Sequence, residues 1–187
     1  MKMSKGPILV VLLFVLGACF FVLWNQEKKQ VAVLSSVKER MIFSHFTQLT
    51  KDLNDIAETL NAYDEDFTAR EKTLYKKSID NEIRSLNQVG INLGVLLNPE
   101  NTERTIYEQH IWNMEKFLKD ISAGKIHKET DIHFVGEAIK EHNEKLTDMF
   151  YKEQIGQEAV GTKREVDRVI RILDSINKEI QVVKAEW

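Results

Sequence analysis

The sequence holds a single cysteine, Cys19, which rules out an intramolecular disulfide framework and a cysteine-rich zinc site. Proline is almost as scarce: only Pro7 and Pro99 occur, with eight glycines, over 187 residues. Strand-and-turn architectures need many such breakers at short intervals, so an all-β fold is excluded. No excess of positive charge is present either. Twenty-six Lys and Arg stand against 29 Asp and Glu, a formal −3, and nothing argues for a nucleic-acid partner. Catalytic signatures are equally thin. There is no Gly-x-Ser-x-Gly elbow and no phosphate-cradling glycine loop, and the lone thiol sits in a greasy stretch. A non-enzymatic protein without a cofactor is expected.

One long hydrophobic run is present. Residues 7–24 read PILVVLLFVLGACFFVLW without a charge, and the uncharged stretch extends from Gly6 to Gln26. At about 1.5 Å per residue that stretch reaches roughly 31 Å, close to the hydrocarbon thickness of a bilayer. Trp24 ends the run where an amphipathic ring suits the interface, and Lys28 and Lys29 follow at headgroup depth. Lys2 and Lys5 in the short tail 1–6 form a positively charged n-region. An uncleaved transmembrane signal anchor is therefore expected at 7–24. Leu16-Gly17-Ala18-Cys19 resembles a bacterial lipobox that would lipidate Cys19, but the apolar residues that follow it disfavour a lipoprotein, and ordinary cleavage fits less well still. For orientation, lysines after the span pull one way and the n-region the other. We expect the soluble part to be extracytoplasmic.

Residues 25–187 show helical apolar spacing nearly throughout. A first helix is expected to leave the membrane and run to residue 62, with the stripe Ile42, Phe46, Leu49, Leu53, Ile56, Leu60, Tyr63 at alternating spacings of four and three, the seam of coiled coils and left-handed bundles. A second, at 67–97, turns Ile79, Ile83, Leu86, Leu93 and Leu97 inward and stops at Asn98-Pro99. A third starts at Asn101 or Thr102, carries Tyr107, Ile111, Met114, Leu118 and Ile121, and ends at Gly124 as its C′ residue. A fourth opens at Thr130 or Asp131 with Ile132, Val135, Ile139, His142, Leu146 and Met149 on one face. The last is announced by a capping box, Thr162-Lys163-Arg164-Glu165, and carries Val166, Val169, Leu173, Ile176, Ile180 and Val183. One apolar stripe per helix forces mutual packing, and short connections make consecutive helices antiparallel. The expected fold is all-α: a transmembrane helix followed by an elongated antiparallel bundle of four to five helices.

Candidate sites are few. In HKETDIH, His127 and His133 flank Glu129 and Asp131, but a spacing of six matches neither a helix face nor a zinc signature, so solvated loop and cap residues are expected. His142, on the apolar stripe, reads as a hydrogen-bonded core histidine. Gly90 and Gly94 form a GxxxG that favours close helix packing or a bend over a ligand groove. Charge is patterned more tellingly. Glu137, Glu141, Glu144 and Asp148 make an acidic ridge on the fourth helix; Arg164, Arg168, Arg171 and Lys178 make a basic one on the fifth, each pointing away from its own core stripe. Solvated faces are the plain explanation and contacts between molecules the sharper one. Trp112 and Phe134 also fall off their core faces and could together form a docking patch.

The outline resembles the extracytoplasmic sensory modules of bacterial chemoreceptors, in architecture only, and with no second span, HAMP-like linker or signalling tail before Trp187 a complete receptor is not expected. The function expected is that of a single-pass, membrane-anchored bundle working by protein–protein interaction or self-association, as scaffold, tether or accessory subunit. The alternative is a ligand-sensing bundle with a pocket near Gly90, Gly94 and His142 that signals through a membrane partner.

Overall fold

The computed structural model describes residues 5–96, 102–151 and 163–185, with side chains described for 16–96, 104–149 and 166–185. Five helices account for most of them: α1 (Lys5–Asn61), α2 (Ala69–Leu96), α3 (Thr102–Ser122), α4 (Glu129–Tyr151) and α5 (Lys163–Ala185). No strand occurs among the described residues. Contacts divide the chain into two units, Met1–Lys38 and Glu39–Trp187, with the boundary inside α1.

In the first unit every described side chain is exposed. Phe20 is 74% and Leu23 63% exposed, and Lys28 stacks its ammonium 3.9 Å from the Trp24 ring centroid. Cys19 is free and exposed. The side chains of 7–15, half of the run expected to span a membrane, lie outside the described residues. Among the described residues no helix is long and apolar enough to cross a membrane.

In the second unit the stripes become one core. Every described α1, α3 and α5 stripe residue is buried apart from half-buried Tyr63, and Leu53, Ile56, Leu60, Ile79, Leu86, Leu93, Ile132, Val135 and Leu173 have essentially no exposure. Ile83 is only half-buried, while Val89 and Phe117 add to the core. His142 does not belong to it. The neighbouring Asn143 turns inward instead, its side chain donating to the Thr50 carbonyl at 2.9 Å, and His142 is left half-buried. Both positions satisfy a spacing of three or four from Ile139 and Leu146, and the one that finds a backbone acceptor on α1 is the one that is buried.

Polar bonds fix the order and direction of the helices. Ser85 donates to Asp52 at 2.9 Å and Thr59 pairs with Ser78 at 3.5 Å, so α2 runs antiparallel to α1. Asn87 to Glu115 at 2.8 Å and Ser122 to Asp80 at 2.9 Å make α3 antiparallel to α2. Asn61 to Glu137 at 2.7 Å, with Asn143 to Thr50, makes α4 antiparallel to α1. The helix α5 packs on both α3 and α4. Asn177 donates to the His110 carbonyl at 3.2 Å and Lys184 lies 3.4 Å from Asp120, so α5 runs parallel to α3. The neighbours close a cycle of α1, α2, α3, α5 and α4. A cycle with an odd number of members cannot alternate direction all the way round, and α3 with α5 is where the alternation fails.

Glycines set the closest approaches. A Cβ on Gly90 would stand 2.8 Å from Ile111 Cγ2 and one on Gly94 2.5 Å from a Glu108 oxygen, so the GxxxG is a packing seam between α2 and α3. Gly136 does the same for α4 against α1, where a Cβ would sit 3.1 Å from that of Leu60. Gly124 has φ 71° and closes a Schellman motif: its N–H donates to Ile121 O at 2.8 Å, and that of Lys125 donates to Asp120 O at 2.9 Å. Asp120 also pairs with Lys125 at 3.1 Å. Burial opposes its ionisation, yet Lys125 and Lys184 outweigh it and hold the carboxyl below its ordinary 3.8. The start of α2 carries a capping box: Thr68 N–H donates to Glu71 at 2.8 Å, and Glu71 N–H to the Thr68 hydroxyl at 3.3 Å. The box expected at Thr162–Glu165 lies outside the described side chains, as does Leu97.

Candidate interaction surface

The face of α4 opposite the core carries the acidic ridge. Glu137, Glu141, Glu144 and Asp148 are all exposed, as the 100° step per residue requires. Phe134 stands beside them, 47% exposed, and opens a groove of 540 Å³ lined by Glu137, Lys140, Glu141, His142 and Glu144 from α4 and by Glu179 from α5. Lys145 bonds to Glu141 at 2.7 Å and holds that carboxyl below its ordinary value. Burial, the largest influence, lowers the His142 pKa, so its ring stays neutral in near-neutral solution. The groove is therefore a mainly acidic rim, four carboxylates against Lys140, around one aromatic side chain. On the other flank of the ridge Glu144 and Asp148 line a second groove with Asn54 of α1.

The basic ridge is less uniform than its spacing implies. Arg171 and Lys178 are exposed, but Lys178 is tied to Asp174 at 2.7 Å, Arg168 is half-buried, and the Arg164 side chain lies outside the described residues. Trp112 is 53% exposed and lines a groove of 230 Å³ with Gly90, Ile91 and Glu108, between α2 and α3. Phe134 lines the groove of α4 and α5. The two aromatics therefore serve different grooves and make no common patch. Gly90 and His142 likewise line different grooves, and neither groove joins them.

The HKETDIH stretch is occupied by structural bonds. The His133 ring donates to Tyr63 O at 2.8 Å, Tyr63 OH donates to His127 O at 3.0 Å, and Glu129 N–H donates to the Glu65 carboxylate at 2.6 Å. A carboxylate thus caps the start of α4, where the helix dipole favours negative charge. The stretch clasps the α1–α2 turn, and no group of three or more His, Cys, Asp or Glu among the described residues is placed to hold a metal ion.

Two buried acids, Asp52 and Glu115, escaped the reading of the sequence, and Asp52 is the one with an unsatisfied oxygen. Asp52, 2% exposed, accepts from Gln48 at 2.7 Å and from Ser85, while its second oxygen has no partner. Burial raises its pKa above the ordinary 3.8. The folded state therefore binds this proton more tightly than the unfolded chain does, and the stability contributed is complete below 3.8 and lost as pH rises through the folded value. Asp52→Asn keeps the size and removes the charge. The variant should gain on the wild type between pH 4 and pH 7 in urea unfolding; an equal difference at both pH values would contradict the assignment.

Comparison with known proteins gives no matching family model, curated protein or solved structure.

Proposed function

We propose that this chain is a single-pass membrane protein, held by residues 7–24 as an uncleaved signal anchor, whose extracytoplasmic helical bundle acts by contact with another protein. Its role is that of a scaffold, tether or accessory subunit, and it makes no bonds and needs no cofactor. The anchor is supported by the charge-free run, by the exposure of its described apolar side chains, 16–24, and by Trp24 with Lys28 at its end. A surface of that kind suits lipid and not water.

The observation that carries the contact role is Phe134, a half-exposed aromatic ringed by Glu137, Glu141, Glu144 and Glu179. An aromatic anchor inside a rim in which four carboxylates outnumber Lys140 is an arrangement in which apolar burial supplies affinity and charge selects the partner. The partner is a protein surface with an apolar recess and basic flanks.

A photo-reactive residue in place of Phe134, in the native membrane, is expected to give a discrete protein adduct, and the same probe at exposed Leu74 on α2 is expected to give none. Glu141→Lys with Glu144→Lys should abolish the adduct and leave stability within about 0.5 kcal/mol of wild type, as exposed substitutions do. Adducts at both positions or at neither would count against this surface.

A further inference from the structure

The early turns of α2 and the C-terminal end of α3 enclose a groove of 360 Å³, lined by Tyr63, Lys72, Tyr75, Lys76 and the segment from Ile121 to Gly124. It is distinct from the α4 surface, and what separates it from an ordinary surface crease is which of its polar groups are already engaged. Ser122 donates to Asp80, Thr73 to Ala69 O at 2.8 Å, and Tyr63 to His127 O. The Tyr75 hydroxyl is buried and has no hydrogen-bond partner. Burial pushes that phenol well above 10, so it remains a neutral donor. Lys72 and Lys76, one helical turn apart, are exposed, and among the described residues neither has an ion-pair partner. Among the lining side chains the unengaged donors are thus two ammonium cations and one O–H.

The wall beside them is aromatic. Tyr63 and Tyr75 stand 5.2 Å apart between ring centroids, and Phe67 lies 5.7 Å from Tyr75. Negative charge lies at the other side: Tyr63 is raised by its burial and then by Glu65, Glu129 and Asp64. An anion is therefore directed to the lysine side and repelled from the Tyr63 side. A bare inorganic anion would leave the aromatic wall unused, and a neutral ring would leave the donors unused.

We propose that this groove binds a small aromatic carboxylate, its ring against Tyr63 and Tyr75 and its carboxylate on Lys72, Lys76 and the Tyr75 hydroxyl. The site is open and the ligand small, so the affinity is modest, with half-saturation near about 1 mM. Charge-assisted bonds from the two lysines supply most of the discrimination against neutral analogues.

The test uses the full chain in detergent micelles, with amide chemical shifts followed during titration with sodium benzoate, benzyl alcohol or inorganic phosphate. Benzoate is expected to shift the amides of residues 72–76 saturably, with benzyl alcohol and phosphate each weaker by about tenfold. Lys72→Gln with Lys76→Gln should weaken benzoate about tenfold and leave benzyl alcohol unchanged. Tyr75→Phe keeps the ring and should weaken benzoate about fivefold. Because both lysines are exposed, the double variant retains the fold, and an unchanged melting curve verifies it. Benzoate binding no tighter than benzyl alcohol, phosphate binding as tight as benzoate, or benzoate binding undiminished in the double lysine variant would each overturn the proposal.

Discussion

Leu53→Ala is expected to lower the stability of the bundle by about 3–4 kcal/mol, because Leu53 is fully buried at the middle of the α1 stripe. Truncation there removes transfer free energy and leaves a cavity that helices packed from several sides cannot collapse into. Domains of this kind have only about 5–15 kcal/mol in hand, so the loss is a large share of the whole. In thermal unfolding the midpoint should fall by roughly 10 °C, at a few degrees per kcal/mol for a chain of this size. Leu74→Ala is the matched control. Leu74 is 58% exposed on α2, and its truncation should cost less than about 0.5 kcal/mol. Equal effects at the two leucines would mean that the α1 stripe does not face the core.

Gly136→Leu should cost about 3 kcal/mol or more, by crowding instead of by emptying. A Cβ at Gly136 already meets Leu60 Cβ at 3.1 Å and Asn61 Cγ at 3.0 Å, and Leu60 has no exposed edge along which to yield. Alanine would gain about 1 kcal/mol of helix propensity over glycine, which offsets part of its strain. Leucine gains no more from propensity and must push α4 off α1. That displacement breaks the Asn61 bond to Glu137 and the Asn143 bond to Thr50 O, which register α4 on α1. Urea unfolding of the full chain in micelles reads the change directly, and a variant as stable as wild type would refute close packing of these helices.

The two substitutions also mark how far the residues alone could be read. Leu53 was legible because burial in a bundle repeats along each helix at alternating steps of three and four, and that period is written in the chain. Gly124 was legible for a similar reason, since a glycine one residue beyond an apolar stripe has few other uses. Gly136 was not. A lone glycine within a helix carries no mark of the neighbour it admits, and here the neighbour, Leu60, is 76 positions away in the chain. His142 and Asn143 show the same limit, because periodicity allows either one inward and only the Thr50 carbonyl decides between them. Thr68 with Glu71 was legible in principle, having the same Thr-x-x-Glu pattern as Thr162 with Glu165.

The candidate surface divides along the same line. That Glu137, Glu141 and Glu144 share an exposed face follows from spacing within one helix. That Glu179 completes their rim follows from α5 lying beside α4, which is a tertiary fact. Which groove each off-core aromatic lines is likewise a tertiary fact, Trp112 sharing one with α2 and Phe134 one with α5.

Flotation with phospholipid vesicles is the most direct measurement of the central claim, that residues 7–24 hold this bundle at a lipid bilayer. The full chain, synthesised in the presence of vesicles, should float with them through a density gradient and stay with them after an alkaline carbonate wash, while a chain beginning at Asn25 should remain at the bottom. Recovery of the full chain in the vesicle-free fraction would contradict the account.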